Sequence, residues 1–533
     1  MNPETLLLMG LGAVVIIAAA RWIGARTGLP AAALLAVAGI VYAVLPGPNI
    51  SLDPHIVLTF VLPPLLYSAA LESSLLAIRA NLRIVIGLSV LLVFATALLV
   101  GAGFGLFVAG ATFAAGVAVG AAVAPPDPVA ALAVGRKVGL PPRLVTIIQG
   151  EGLLNDATAL TILNVAVAAA VSGHFSLPKA AGLFVLAAAG GTAVGVGVAY
   201  LVRLLRPLAR DPLLANAISL ATPFVAYYIG EQLHVSGVLA VVVAGLIVGH
   251  DTPRSGTGAS RLQTNAVWRL VDFLLEGIVF LLIGQQLPAV MRGLAKYQTS
   301  TVVIAVAVTV GVTLLLRPVW LSLTQAAHLL LRREDEGLNA REIAALSWAG
   351  TRGVISLAAV FTLPLTTGAG EPFPDRDLLL FCTFVVVLVT LVGQGLTFAP
   401  LVRRLGLRAN EVDEARQRNE ARMASVHAAL ERLDDLEEDE PGDAPTIEAL
   451  RGRMQERLRR YEHRLDVLQS AESDEVPVSE HYESALRIQR LAIEAQREEL
   501  LRWRDAGNLP DEGLRRLERE LDHEERVLPD RRE

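Results

Sequence analysis

Apolar stretches long enough to cross a bilayer follow one another from Leu6 to Pro400, interrupted only by prolines, glycines and small charged clusters. A helix needs about 20 mostly apolar residues to span the hydrocarbon core. Soluble domains do not repeat such stretches, because their helices keep a polar face for water. With 53% hydrophobic residues over 533 positions, the chain reads as an all-α polytopic membrane protein. Cutting the apolar runs at their punctuation predicts thirteen spans: 4–20, 29–46, 56–70, 84–108, 111–134, 144–172, 180–202, 212–230, 235–250, 267–290, 301–330, 342–366 and 378–400. Leu6–Ala20 lacks a basic flank before it, so it reads as the first span rather than as a cleavable leader.

Charge divides the chain. Residues 401–533 hold 24 Arg and no Lys against 34 Asp and Glu, whereas residues 1–400 hold 22 basic and 18 acidic residues. A membrane domain, 1–405, is thus followed by an acidic tail, 406–533. With the N-terminus outside, 15 Arg and Lys fall in inside loops and 4 in outside loops. That asymmetry satisfies the positive-inside rule and places the tail in the cytoplasm. Apolar residues at helical spacing make the tail a set of amphipathic helices with mixed-charge solvated faces. It has no phosphate loop, kinase signature or metal-ligand cluster. The lone Cys382 excludes an intrachain disulfide.

Ionisable residues at bilayer depth cost a few kcal/mol or more, so each one is a functional candidate. Three clusters stand out. In "QGEGLLNDATALTIL", Glu151 and Asn155 lie one helical turn apart on one face, while Asp156 lies about 100° further round. In "AVAPPDPVAAL", Pro125, Pro126 and Pro128 surround Asp127 and break the helix, freeing carbonyls. In "SWAGTRGVISLAAV", Gly350 and Gly353 flank Arg352 and mark a second interruption. Broken helices are tolerated in membranes where they line a cavity. Two of them, one in each half, point to inverted repeats with a site between. A lone intramembrane arginine needs a partner, and Glu151 is the candidate for Arg352.

Other polar residues carry weaker signals. Glu72 stands at a helix end. Arg269, Asp272 and Glu276 fit a local salt-bridge ladder as well as they fit a function. Arg317, deep in a span and followed by Pro318, must face protein or water. His174, His234 and His250 read as interfacial.

In this order, "LPPLLYSAAL", "APPDPVAA", "EGLLNDATAL" and "WAGTRGVISLA" resemble the bacterial sodium/proton antiporters of cation/proton antiporter family 1, the NhaP- and NHE-type exchangers. The likeness covers roughly residues 1–405. It implies thirteen transmembrane helices with two crossing unwound helices, a homodimer and an elevator motion. The moving core would lie within 84–172 and 301–400, and the dimer scaffold within 4–70 and 180–290. It implies cation and proton binding at Asp156, Asp127 and Asn155, with Pro126 offering its carbonyl, and a structural ion pair of Glu151 and Arg352. Gly152 stands where many members have Ser, Pro126 where many have Thr or Ser, and Ser68 where many have an acid. Glu72, one turn on, is a candidate substitute.

The expectation is a secondary active Na+/H+ antiporter, electroneutral, in a bacterial inner membrane. It needs no cofactor, no metal beyond the transported ion and no nucleic acid. Sodium is a hard cation that prefers oxygen ligands, and proton and cation would compete at Asp156. A K+ or broad Na+/K+/Li+ antiporter is the alternative. A channel fits less well, because channels line pores with rings of like residues. An ion-sensing receptor would need an output domain that the tail does not reveal. No nucleophile–base arrangement points to an enzyme.

Overall fold

The computed structural model describes residues 3–45, 54–172, 176–208, 211–255, 258–330, 337–366, 373–439, 444–470 and 480–528. His174 and the inside-loop residues Arg210, Arg332 and Arg333 lie outside them. Every regular element among the described residues is helical. A bilayer offers no water to backbone groups, so an apolar chain must satisfy them within each helix.

Among the described residues eight helices are long and apolar enough to cross a membrane, including Pro142–Val171, Thr299–Leu330 and Arg376–Leu405. Ala31–Val44, Val57–Glu72 and Phe113–Val123 are shorter apolar helices. Gly258–Gly293 is long but carries Arg269, Asp272 and Glu276 along its middle. The sequence-predicted ranges 111–134 and 342–366 are each split in two, into Phe113–Val123 with Pro128–Lys137 and Ala340–Trp348 with Val354–Phe361.

The outward faces are apolar. Leu7, Leu8 and Val15 on the first helix are all more than 60% exposed. At about 25 cal/mol per Å² such a surface is costly in water and costs nothing against acyl chains. Phe113–Val123 is the central element: every residue from Ala115 to Val123 is buried. It packs on Leu92–Phe107, Pro142–Ser172, Val354–Phe361 and Arg376–Leu388. Elsewhere Ala31–Val44 crosses Gly258–Gly293 where Gly39 meets the backbone of Leu281 and Gly284 meets that of Ala36. Without a hydrophobic drive between helices in lipid, such close small-residue packing holds them together.

The chain divides into two compact units, Met1–Arg408 and Ala409–Glu533. In the second, Glu411–Asp439 packs on Ala444–Gln469, and Glu480–Asp505 on Asp511–Val527. Arg451 bridges Asp434 at 2.8 Å and Glu448 at 2.7 Å, and Arg497 bridges Glu525 at 2.7 Å. These pairs lie at the surface, where each contributes little, so apolar contacts such as those of buried Val426, Ile447 and Leu468 matter more.

Candidate ion-binding site

Two helix interruptions meet inside the first unit. In the first, helix stops at Val123 and restarts at Pro128. Pro125 and Pro126 have no N–H to continue the ladder, and Asp127 restarts it by accepting from Val129 N at 2.9 Å, with Pro128 at the position that tolerates proline. In the second, Ala340–Trp348 opens on a capping box of Asn339 and Glu342, and the chain unwinds until Val354. The interruptions touch main chain to main chain. Asp127 N donates to Thr351 O at 2.6 Å, and Thr351 Oγ1 donates to Asp127 O at 2.9 Å. Gly353 lies so close that a Cβ there would overlap the Asp127 carboxylate.

The helix Pro142–Ser172 presents the third component. Asn155 and Asp156 are both buried. Asn155 Nδ2 donates to the Pro126 carbonyl at 3.1 Å, which ties this helix to the first interruption. That bond fixes which way the amide faces and leaves Asn155 Oδ1 buried without a partner among the described residues. An unsatisfied buried acceptor costs about 1–3 kcal/mol, so it marks a place for a ligand. Asp156 and Asp127 lie within electrostatic reach of each other. Asp156, Asp127, Asn155 and Pro126 are thus brought together. The geometry offers carboxylate and amide oxygens, which suit a hard cation, and carboxylates that can also hold a proton.

Gly152 is held by a steric fact. A Cβ on it would come 2.5 Å from Cγ of Pro128. The proline ring that restarts the broken helix occupies the space a serine would use.

The ion pair differs from the sequence expectation. Glu151 pairs with Arg317, not with Arg352. Arg317 Nη2 donates to Glu151 Oε2 at 2.8 Å, Nη1 donates to Oε1, and Nε donates to Leu346 O at 2.7 Å. Both side chains are at most 3% exposed. Arg352 is buried close by but spends its donors on carbonyls, with Nε on Val123 O at 2.6 Å and Nη1 on Gly350 O. Those are the carbonyls that the interruptions strip of helical partners, and a guanidinium satisfies them. Its backbone N–H goes to Thr390 Oγ1 at 2.9 Å, in the π-helical stretch Val389–Gln394.

The acid near Ser68 is also not the expected one. Glu72 lies at the surface, 3.4 Å from Arg136. Ser68 Oγ instead donates to Asp272 at 2.5 Å, and Asp272 Oδ1 is buried without a partner among the described residues. No ion pair joins Arg269 to Asp272 or Glu276 among the described residues, so the local ladder does not form. Glu276, one turn past Asp272, lies within electrostatic reach of Asp272, Asp127 and Arg21. The sequence pointed to neither Thr351 nor Thr390; only the position of Thr351 between Gly350 and Gly353 hinted at a backbone role.

Two interrupted helices that meet beside buried acids in an apolar bundle define a multi-pass membrane transporter. Residues 12–404 match the family described as "Sodium/hydrogen exchanger, transmembrane", and the chain belongs to that family. An uncharacterized Na(+)/H(+) exchanger of Mycobacterium tuberculosis is 33% identical over 98% of this chain and 97% of its own length. The sodium, potassium, lithium and rubidium/H(+) antiporter of Bacillus subtilis is 31% identical over 66% of this chain and 55% of its own. The solved structure of the sodium proton antiporter MjNhaP1 from Methanocaldococcus jannaschii covers 75% of this chain and 99% of that one, with a TM-score of 0.61 at 19% identity. It shows the same fold.

Proposed function

We propose that this protein exchanges Na+ for H+ at Asp156 and Asp127, electroneutrally. The observation that carries this reading is the buried, unpartnered Asn155 Oδ1 beside Asp156, on the helix tied to the interruption that bears Asp127. Cation and proton compete for the same carboxylates. If only an occupied site crosses, competition alone couples the two ions, and no separate relay is required. Asp156 binds, Asp127 binds and caps the restarted helix, and Asn155 completes the oxygen set. Glu151 with Arg317, and Arg352 on its carbonyls, hold the interrupted helices in register.

Movement is proposed to be an elevator of 84–172 and 301–400 against a dimerising scaffold of 4–70 and 180–290. Packing supports the division. Phe113–Val123, Leu92–Phe107, Thr299–Leu330 and Arg376–Leu388 pack on one another, as do Leu62–Glu72, Leu177–Leu205, Pro212–Gln232 and Gly237–Ser255. The same reading includes thirteen spans as inverted repeats, an outside N-terminus, a cytoplasmic tail 406–533 and a bacterial inner membrane. Loop charge asymmetry supports the orientation.

A broader cation range, K+ and Li+ as well as Na+, is the second reading. Gly152 favours it, because a glycine adds no side-chain oxygen there and the Pro128 ring leaves no room for a Cβ. An exchange assay in proteoliposomes with Na+, K+ and Li+ across pH tests both. Proton efflux driven by Na+ supports the first reading, comparable rates with all three the second, and no cation-driven proton flux overturns both.

A further inference from the structure

A second polar place lies away from the acids. The helices Leu177–Leu205 and Gly237–Ser255 pack in parallel register: Gly190 meets Val235, Gly191 meets Ser236, and Gly195 meets Ala240 and Val243. They therefore end together, and candidate membrane spans run through Leu208 and Arg254. Between the two ends is a cavity of about 210 Å³. Its floor is Ala199, Val202 and Val248, all buried; its rim is Arg203, Arg206 and Arg254 with Asp251. Arg206 donates to Thr252 Oγ1 at 3.0 Å and fixes one wall. Arg203 and Arg254 are exposed at the mouth.

Helix C-termini attract basic side chains with no ligand present, which accounts for part of this cluster. Each terminus carries a charge of about −0.5. Two termini and Asp251 together oppose three guanidiniums, and the mouth keeps roughly one positive charge. An apolar floor beside arginines, at the depth where two spans end, suits a molecule with a phosphate and an acyl chain. A soluble phosphate has no use for the floor. Asp251, which repels phosphate, suits a headgroup hydroxyl: a carboxylate has about four acceptor positions, so it can take one whatever else it binds.

We propose that this cavity binds the phosphate of an anionic phospholipid headgroup. The assignment requires that the chain span a membrane and not that it carry any particular ion, so lipid retention and transport are read separately. Full-length protein is reconstituted in phosphatidylcholine with and without phosphatidylglycerol, re-extracted in mild detergent, and its bound lipid counted by native mass spectrometry. Phosphatidylglycerol is expected to be retained over phosphatidylcholine. The Arg203→Gln/Arg254→Gln variant is expected to lose that preference by about fivefold per arginine. The Arg203→Lys/Arg254→Lys variant keeps the charge and is expected to retain most of it. Undiminished preference in the Gln variant overturns the proposal, as does equal loss in the Lys variant with unchanged melting temperature. Inorganic phosphate provides the last arm. Stabilisation of detergent-purified protein by phosphate, without lipid retention, assigns the cavity to a soluble anion and overturns the lipid assignment.

Discussion

Asp127 and Thr351 bind each other twice, through Asp127 N to Thr351 O and Thr351 Oγ1 to Asp127 O, although 224 residues separate them. The two interruptions are therefore a single joint. Asp127 cannot be displaced without disturbing Thr351, and the segment that carries Arg352 follows.

Asp156→Asn should abolish cation-driven proton flux in everted vesicles while leaving the detergent-extracted protein monodisperse. The substitution keeps the shape and removes the charge, so any loss reports binding rather than packing. Sustained sodium-dependent proton efflux in this variant would remove Asp156 from the site.

Glu151→Gln should lower stability by about 3–5 kcal/mol, because it leaves the Arg317 guanidinium buried without a counter-charge. Thermal melting of Glu151→Gln, Arg317→Met and the double variant checks this. The double variant should be more stable than the sum of the singles predicts. A larger coupling of Glu151 to Arg352 than to Arg317 would restore the pair expected from the sequence.

Gly152→Ser should impair exchange, because its Cβ meets the Pro128 ring. Adding Pro128→Ala removes that ring and should recover folding, measured by extraction yield and melting temperature. With the ring gone, the serine hydroxyl has room near the acids, and the double variant should narrow the cation range. If Gly152→Ser alone melts and transports like the parent, the contact is not what keeps glycine there.

Asp272→Asn should raise the cation concentration for half-maximal exchange by about tenfold, a change of roughly 1.4 kcal/mol. Asp272 is the acid bonded to Ser68, and Glu276 continues from it toward Asp127. Glu72→Gln should change it less than about twofold, as expected for an exposed surface pair. The reverse order would return the role to Glu72.

Deleting 409–533 should leave exchange measurable, since the family match ends at residue 404 and the helices of the second unit pack on one another. Complete loss of transport with intact membrane insertion would make the tail part of the machinery.

The parts of this structure legible in the sequence are those that act through the local backbone. "APPDP" announces its own interruption because proline lacks an N–H, and the glycines around Arg352 announce the other. Hydropathy places the helices because the bilayer sets their length. The pairings were not legible. Glu151 had three intramembrane arginines to choose from, Arg269, Arg317 and Arg352, and nothing along the chain ranks Arg317, 166 residues away, above Arg352. Glu72 looked suited to the place beside Ser68 because it is one turn along the same helix. Asp272 takes that place from a different helix, a tertiary fact that periodicity cannot carry. Gly152 stood out only as a departure from the serine of many family members; the ring of Pro128, in another segment, is what fills the space of a Cβ there.

The guanidinium of Arg352 on the Val123 and Gly350 carbonyls has an electrical consequence. Around the joint stand three carboxylates, Asp127, Asp156 and Glu151, and two fixed cations, Arg317 and Arg352, while further out Glu276 is set against Arg21. Fully ionised, the assembly is short of neutrality by one positive charge. One monovalent cation fills that deficit, and so does one proton. In the proposed exchange a loaded assembly of either kind would cross the membrane neutral, whereas an empty one would carry an uncompensated charge into low dielectric. On that proposal Arg352 is what brings the two loaded assemblies to neutrality and leaves the vacant one as the charged, leak-prone crossing.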